Sequence, residues 1–175
     1  MKRGKNAKLC IIGSAPSKAD APYADRSYDV WAISGAAYSE SLDGVRRPDT
    51  EDNSWNSVLR ADAFFEMHKR PKFAEKLERL AACARPVIMQ RREPDIPTSE
   101  PFPVDEIVAA LGEDFSSTIA YMMAYAIYLG YREIRLYGVI MLHKTEYVRQ
   151  RPGVKYYLGV AYARGITVWA PAETQ

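Results

Sequence analysis

Residues 141–152 hold the densest run of reactive side chains in the chain: His143, Glu146, Tyr147, Arg149 and Arg151 follow one another closely. An imidazole titrates near neutrality and can take or give a proton at ordinary pH, and a carboxylate three positions on is close enough to orient it. Arginines bind oxyanions through paired hydrogen bonds, so Arg149 and Arg151 suit a leaving phosphate or diphosphate. Tyr156 and Tyr157, just beyond, add hydroxyl donors or a surface for stacking a base. The chemistry these types allow is group transfer with a phosphate leaving group, with His143, Glu146 and Arg151 as the catalytic set. A charge-rich solvated loop accounts for the same composition.

Such residues need elements to carry them. Lys8–Ile12 is a continuous apolar run that leads into Gly13-Ser14-Ala15-Pro16-Ser17. This pattern predicts a strand buried on both faces, with a small-residue loop at its carboxyl end, where α/β sheets meet their ligands. The loop is neither the G-x-G-x-x-G dinucleotide fingerprint nor a P-loop. A strand over residues 29–34 ends the same way, in Ser34-Gly35. A third strand, residues 61–66, passes into Met67-His68, which puts His68 on the same sheet edge as the loop after the fifth strand, offering a second base or an acceptor contact. Further strands are expected at 86–90, 134–139 and 166–169, the fifth containing Gly138. Helices are expected at 71–84, 104–111, from Phe115-Ser116-Ser117-Thr118 to about Leu129, and from Pro152 to Gly165. Residues 91–103, with four prolines, read as a long loop and a candidate lid.

Strands alternating with helices predict an α/β domain spanning residues 1–175: a Rossmann-like, three-layer arrangement of about six mostly parallel strands with helices on both faces. At 175 residues and 47% apolar the chain can bury a core without disulfides or metals. Cys10 and Cys83 are isolated, and with two histidines and no Asp-x-Asp pair no metal site or cofactor is expected. No apolar run is long enough to span a membrane and no signal sequence is visible, so a cytoplasmic protein without a membrane partner is expected. A net charge of +2 makes nucleic acid the weakest partner, despite basic clusters at Arg46-Arg47, His68-Lys69-Arg70 and Arg91-Arg92.

The opening Gly13-x-x-Pro16-Ser17 and the block from Phe115 to Gly138 together resemble the Rossmann-like domain of bacterial lipooligosaccharide sialyltransferases. They equally resemble uncharacterised domains of the same pattern, among them short phage proteins and pterin-pyrophosphokinase-like domains. The resemblance implies a CMP-sugar donor held by the first loop and the start of the late helix, tyrosines at its phosphate, and a histidine base working without metal. By position it carries over to Gly13, Ser14, Pro16 and Ser17, to Ser34 and Gly35, and to Ser116, Ser117 and Thr118. The chain departs from the pattern at Ser14-Ala15, where an Asn-Gly pair is usual, at Ile140, where an aspartate is usual, and in lacking the acceptor-binding lid. A helix N-terminus with hydroxyl side chains suits a phosphate on physical grounds as well. The expected ligand contacts are therefore residues 13–17 (Ala15 among them), Ser34, Gly35, His68, Ser116–Thr118, Gly138, Tyr147, Arg149 and Tyr156. The function expected is nucleotide or nucleotide-sugar binding in a small metal-independent glycosyltransferase-like enzyme. A non-catalytic nucleotide-binding or protein-interaction module on the same fold is the alternative.

Overall fold

The structure, a computed structural model, describes residues 7–37, 58–139 and 145–170; for 36, 37 and 145–148 the backbone alone is described. Strands β1 (Lys8–Ile12), β2 (Tyr28–Ile33), β3 (Ala63–Glu66), β4 (Val87–Met89), β5 (Ser99–Pro101), β6 (Glu133–Tyr137) and β7 (Thr167–Trp169) form one sheet in the order β5-β4-β3-β2-β1-β6-β7. Every pairing is parallel. The described residues thus hold one strand more than the six expected. The addition, β5, lies inside the proline-rich stretch, where it forms the sheet's edge, and an edge strand tolerates Pro101.

Alternation along the strands sends apolar side chains to two cores. Leu9, Ile11, Trp31, Phe65, Ile88, Ile134 and Leu136 face one side and pack with helices α3 (Val104–Leu111), α4 (Thr118–Tyr128) and α5 (Thr145–Ala163). Cys10, Ile12, Val30, Ala32, Phe64, Val87 and Met89 face the other, against Phe73 of α1 (Arg70–Phe73) and Leu80 of α2 (Leu77–Ala81). The expected helix at 71–84 is thus two short pieces joined by a 3-10 turn, Ala74–Lys76. Helix α4 is buried around its circumference, as its sequence requires, and its neighbours bring Trp31, Phe65, Tyr125 and Tyr131 into ring contact.

Helix α5 begins at Thr145, seven residues before Pro152, its expected first residue. A proline inside a helix removes an N–H and breaks the ladder, and the break is filled from α4's start. The Ser116 hydroxyl donates to Gln150 O at 2.9 Å and accepts from the Gly153 N–H at 3.0 Å.

From β1 the chain winds outward to β5, then returns to place β6 on β1's other side. The order of strands reverses between β1 and β6, the place where open α/β sheets bind ligands at the strands' carboxyl ends. Two glycines meet there. Gly138 has φ +66°, and a Cβ on it would lie 2.8 Å from Gly13 O and 2.9 Å from Lys18 Cβ; a Cβ on Gly13 would collide with the Gly138 carbonyl. Gly130, at the end of α4, also has positive φ (+80°) but open space around it. Gly130→Ala should therefore cost only the backbone strain of about 1–2 kcal/mol. Gly138→Ala should cost clearly more, because crowding is added, and urea denaturation of the two variants separates these terms.

Candidate functional site

The loops after β1 and β6 are stitched together by their backbones. The Gly13 N–H donates to Tyr137 O and the Ala15 N–H to Gly138 O, both at 2.8 Å, and the Gly138 N–H donates to the Ser17 hydroxyl at 3.0 Å. The Gly13 and Ala15 amides of the first loop are thus engaged within the protein. The loop's contribution is a floor without bulk, with the exposed Ser14 at its tip.

Above that floor is a cavity of about 460 Å³, in the range of small-molecule sites. Gly13, Ser14, Ala15, Gly138 and Val139 line one side, and Ile33, Met67, His68 and Gln90 come from the ends of β2, β3 and β4. The opposite wall is Phe115 to Ile119 with Tyr121. Ser117 caps α4, its hydroxyl accepting from the Ala120 N–H at 3.2 Å, so the first amides of this helix and their partial positive charge lie at the wall. Phe115 and Tyr121 stack face to face, centroids 4.4 Å apart and planes 11° from parallel.

Of the expected contacts, Gly13, Ser14, Ala15, His68, Ser116, Ser117, Thr118 and Gly138 come together around this cavity. Pro16 begins a 3-10 turn beside it, and Ser17 faces Gly138 rather than the space. Gly35 lies in the 3-10 turn Ser34–Ala37, outside the lining. Arg149 is exposed away from the cavity, and Arg151 Nε is buried without a hydrogen-bond partner among the described residues. Tyr156 donates to Leu111 O and Tyr157 to Gly112 O, so both tyrosines brace the α3–α4 connection and stand apart from the cavity. His143 lies outside the described residues; Glu146 and Tyr147 lie in α5, where the backbone alone is described.

Glu66 closes β3 and is only 1% exposed. A buried carboxylate persists as an anion only with strong partners, and it has three. The Ser34 hydroxyl donates to one oxygen, Lys76 Nζ reaches that same oxygen at 3.0 Å, and the other oxygen is 2.6 Å from His68 Nδ1 and 3.2 Å from the His68 N–H. Burial pushes the carboxyl's pKa up, but the hydrogen bonds from Ser34, His68 and Lys76 outweigh it and hold the group below the ordinary carboxylate range. Because ionised Glu66 can only accept, Nδ1 is the donor, and Nε2 is left for a partner other than Glu66. The sequence placed His68 at the correct edge, and a lone charge ending the apolar run Ala-Phe-Phe-Glu was the available signal for Glu66. Lys76, ten residues on, and the pair Phe115 and Tyr121 carried no such mark.

This fold is shared with solved bacterial sialyltransferases. No protein-family model matches the sequence, and no curated protein matches it. Among solved structures, the sialyltransferase CstII from Campylobacter jejuni in complex with cytidine-5'-monophosphate aligns over 95% of this chain and 81% of its own, with TM-score 0.55 and 15% identity. CstII in complex with the substrate analogue CMP-3FNeuAc aligns over 93% and 80%, with TM-score 0.53 and 16% identity. The apo alpha-2,3-sialyltransferase from the same organism aligns over 97% and 77%, with TM-score 0.53 and 18% identity.

Ser116→Ala removes both hydrogen bonds that seat α5 across Pro152 and should destabilise the protein by about 1–3 kcal/mol, as read by urea denaturation. Glu66 gives a pH signature. Its folded-state pKa is depressed, so its stabilising contribution is complete above the unfolded-state value and is lost as pH falls from about 5 through the folded-state value. Glu66→Gln should lower the melting temperature at pH 7 and flatten its fall between about pH 5 and pH 3.

Proposed function

We propose that the protein binds a nucleotide or nucleotide sugar in the crevice between β1 and β6 and acts as a small glycosyltransferase-like enzyme on that donor. The observation that carries this reading is the convergence of three features on one cavity at the strand-order reversal. These are a side-chain-free floor at Gly13 and Gly138, the start of α4 with the Ser117 and Thr118 hydroxyls, and the stacked Phe115–Tyr121 pair. The floor admits a bulky ligand close to the sheet, the helix start suits a phosphate, and the aromatic pair suits a planar base. That fold neighbours are described as complexes with cytidine-5'-monophosphate and CMP-3FNeuAc makes a cytidine nucleotide the first ligand to try.

Thermal shift against CMP, CDP, UDP, GDP and their sugar conjugates tests the reading. A nucleotide present at about 100 times its Kd should stabilise by about 2.7 kcal/mol, or roughly 5–10 °C in Tm. Ser14 is exposed, so Ser14→Trp should leave the unliganded Tm nearly unchanged while the indole fills the crevice and abolishes the shift. No shift with any of these nucleotides, or an undiminished shift in Ser14→Trp, would exclude this crevice as their site.

A further inference from the structure

Binding a nucleotide does not require the Glu66–His68 pair. A carboxylate that is 1% exposed is costly to bury, yet three separate elements are spent on keeping it charged: Ser34 after β2, Lys76 after α1 and His68 after β3. What this arrangement produces is one oriented imidazole. Nδ1 is tied to Glu66 at 2.6 Å, while the ring remains 48% exposed and opens toward solvent.

His68 also stands between two cavities. It lines the nucleotide crevice, and together with Gln90 it lines a second cavity of about 340 Å³ toward α1 and β4. Gln90 Nε2 donates to Met67 O at 2.7 Å, which ties the ends of β3 and β4 together at this partition. The two guanidinium groups of the second cavity are already matched: Arg70 pairs with Glu93 and Asp95, and Arg91 with Glu93 at 2.9 Å. Lys69 lines the same cavity, so its wall offers cationic and carboxylate groups as hydrogen-bonding partners to a hydroxylated molecule.

We propose that His68 is the catalytic base of the transfer, that Glu66 is its positioning residue, and that the second cavity seats the acceptor. The assignment rests on the nucleotide-sugar reading of the first cavity. In the step, Nε2 takes the proton of the acceptor hydroxyl as that oxygen bonds to the anomeric carbon of the sugar. The bond from the anomeric carbon to the phosphate oxygen breaks, its electron pair stays on the phosphate, and the nucleotide leaves. Ionised Glu66 stabilises the imidazolium that results.

The test follows nucleotide release from CMP-NeuAc, UDP-glucose and GDP-mannose, with water as acceptor, alongside thermal-shift binding of CMP, UDP and GDP. His68 is half exposed, so His68→Ala should fold and bind the nucleotide within about threefold of wild type. Its turnover should fall by about 10²–10⁴-fold, and added imidazole should restore part of it. Glu66→Gln should lower kcat by roughly tenfold with KM unchanged, as expected when a base loses its orienting partner. Unchanged turnover in His68→Ala, or a loss that imidazole does not restore, overturns the assignment. Wild-type protein that binds a nucleotide but releases none from any donor also overturns it and leaves the binding site standing. Wild-type protein that binds none of the nucleotides removes the reading on which the assignment rests.

Discussion

Everything at the carboxyl edge of the sheet depends on how closely two backbones approach each other. The loops leaving β1 and β6 touch at Gly13 and Gly138, exchange hydrogen bonds across the gap, and leave no room for a Cβ on either residue. Parallel strands in register bring their carboxyl ends to the same level, and here Ile12 stands opposite both Ala32 and Tyr137. Bulk at either glycine would push the loops apart or fill the space above them. The crevice therefore exists because the floor is backbone, and the helix start and the aromatic pair gain their meaning from facing that floor.

A second constraint acts through burial. Phe64 and Phe65 carry β3 through the middle of the molecule, and Glu66 follows them before the chain has reached water. An unpaired carboxylate at that depth would cost several kcal/mol, so the loop after β2 and the turn after α1 are drawn in to satisfy it. Ser34, expected as a ligand contact, is committed to this network, and its place in the fold explains both its burial and its hydroxyl.

Other polar residues also carry contacts within the scaffold. Ser116 repairs the helix at Pro152, and a Cβ on Gly153 would run into the Asp114 carbonyl and the Ser116 hydroxyl, so the two helices are fitted to one another there. Of the 12 tyrosines, Tyr125, Tyr131 and Tyr157 are buried against the sheet, and Tyr156 reaches a carbonyl at the end of α3. Hydroxyls near a predicted site look like ligand contacts in a sequence because their partners, here Gln150 and Leu111, are 34 and 45 residues away. Nothing in local spacing distinguishes the two uses.

The sequence by itself determined the layered α/β fold, through apolar strand runs, helical periodicity and glycine stops. It also placed the first loop and the third strand's end at one edge, because parallel strands bring their carboxyl ends together, whereas the start of α4 joined them only through the family resemblance. It left β5 unread, since an edge strand three residues long between prolines has no periodicity to detect, and it started α5 at Pro152 because the hydroxyl that mends the break lies in another element. Tertiary structure alone decided which small-residue loops face each other, which of their amides bond within the protein, and that a serine, a lysine and a histidine from three elements converge on Glu66. Local pattern reflects whether a residue prefers helix, strand or burial; the pairing of groups distant in the chain depends on the strand order, which that pattern does not encode.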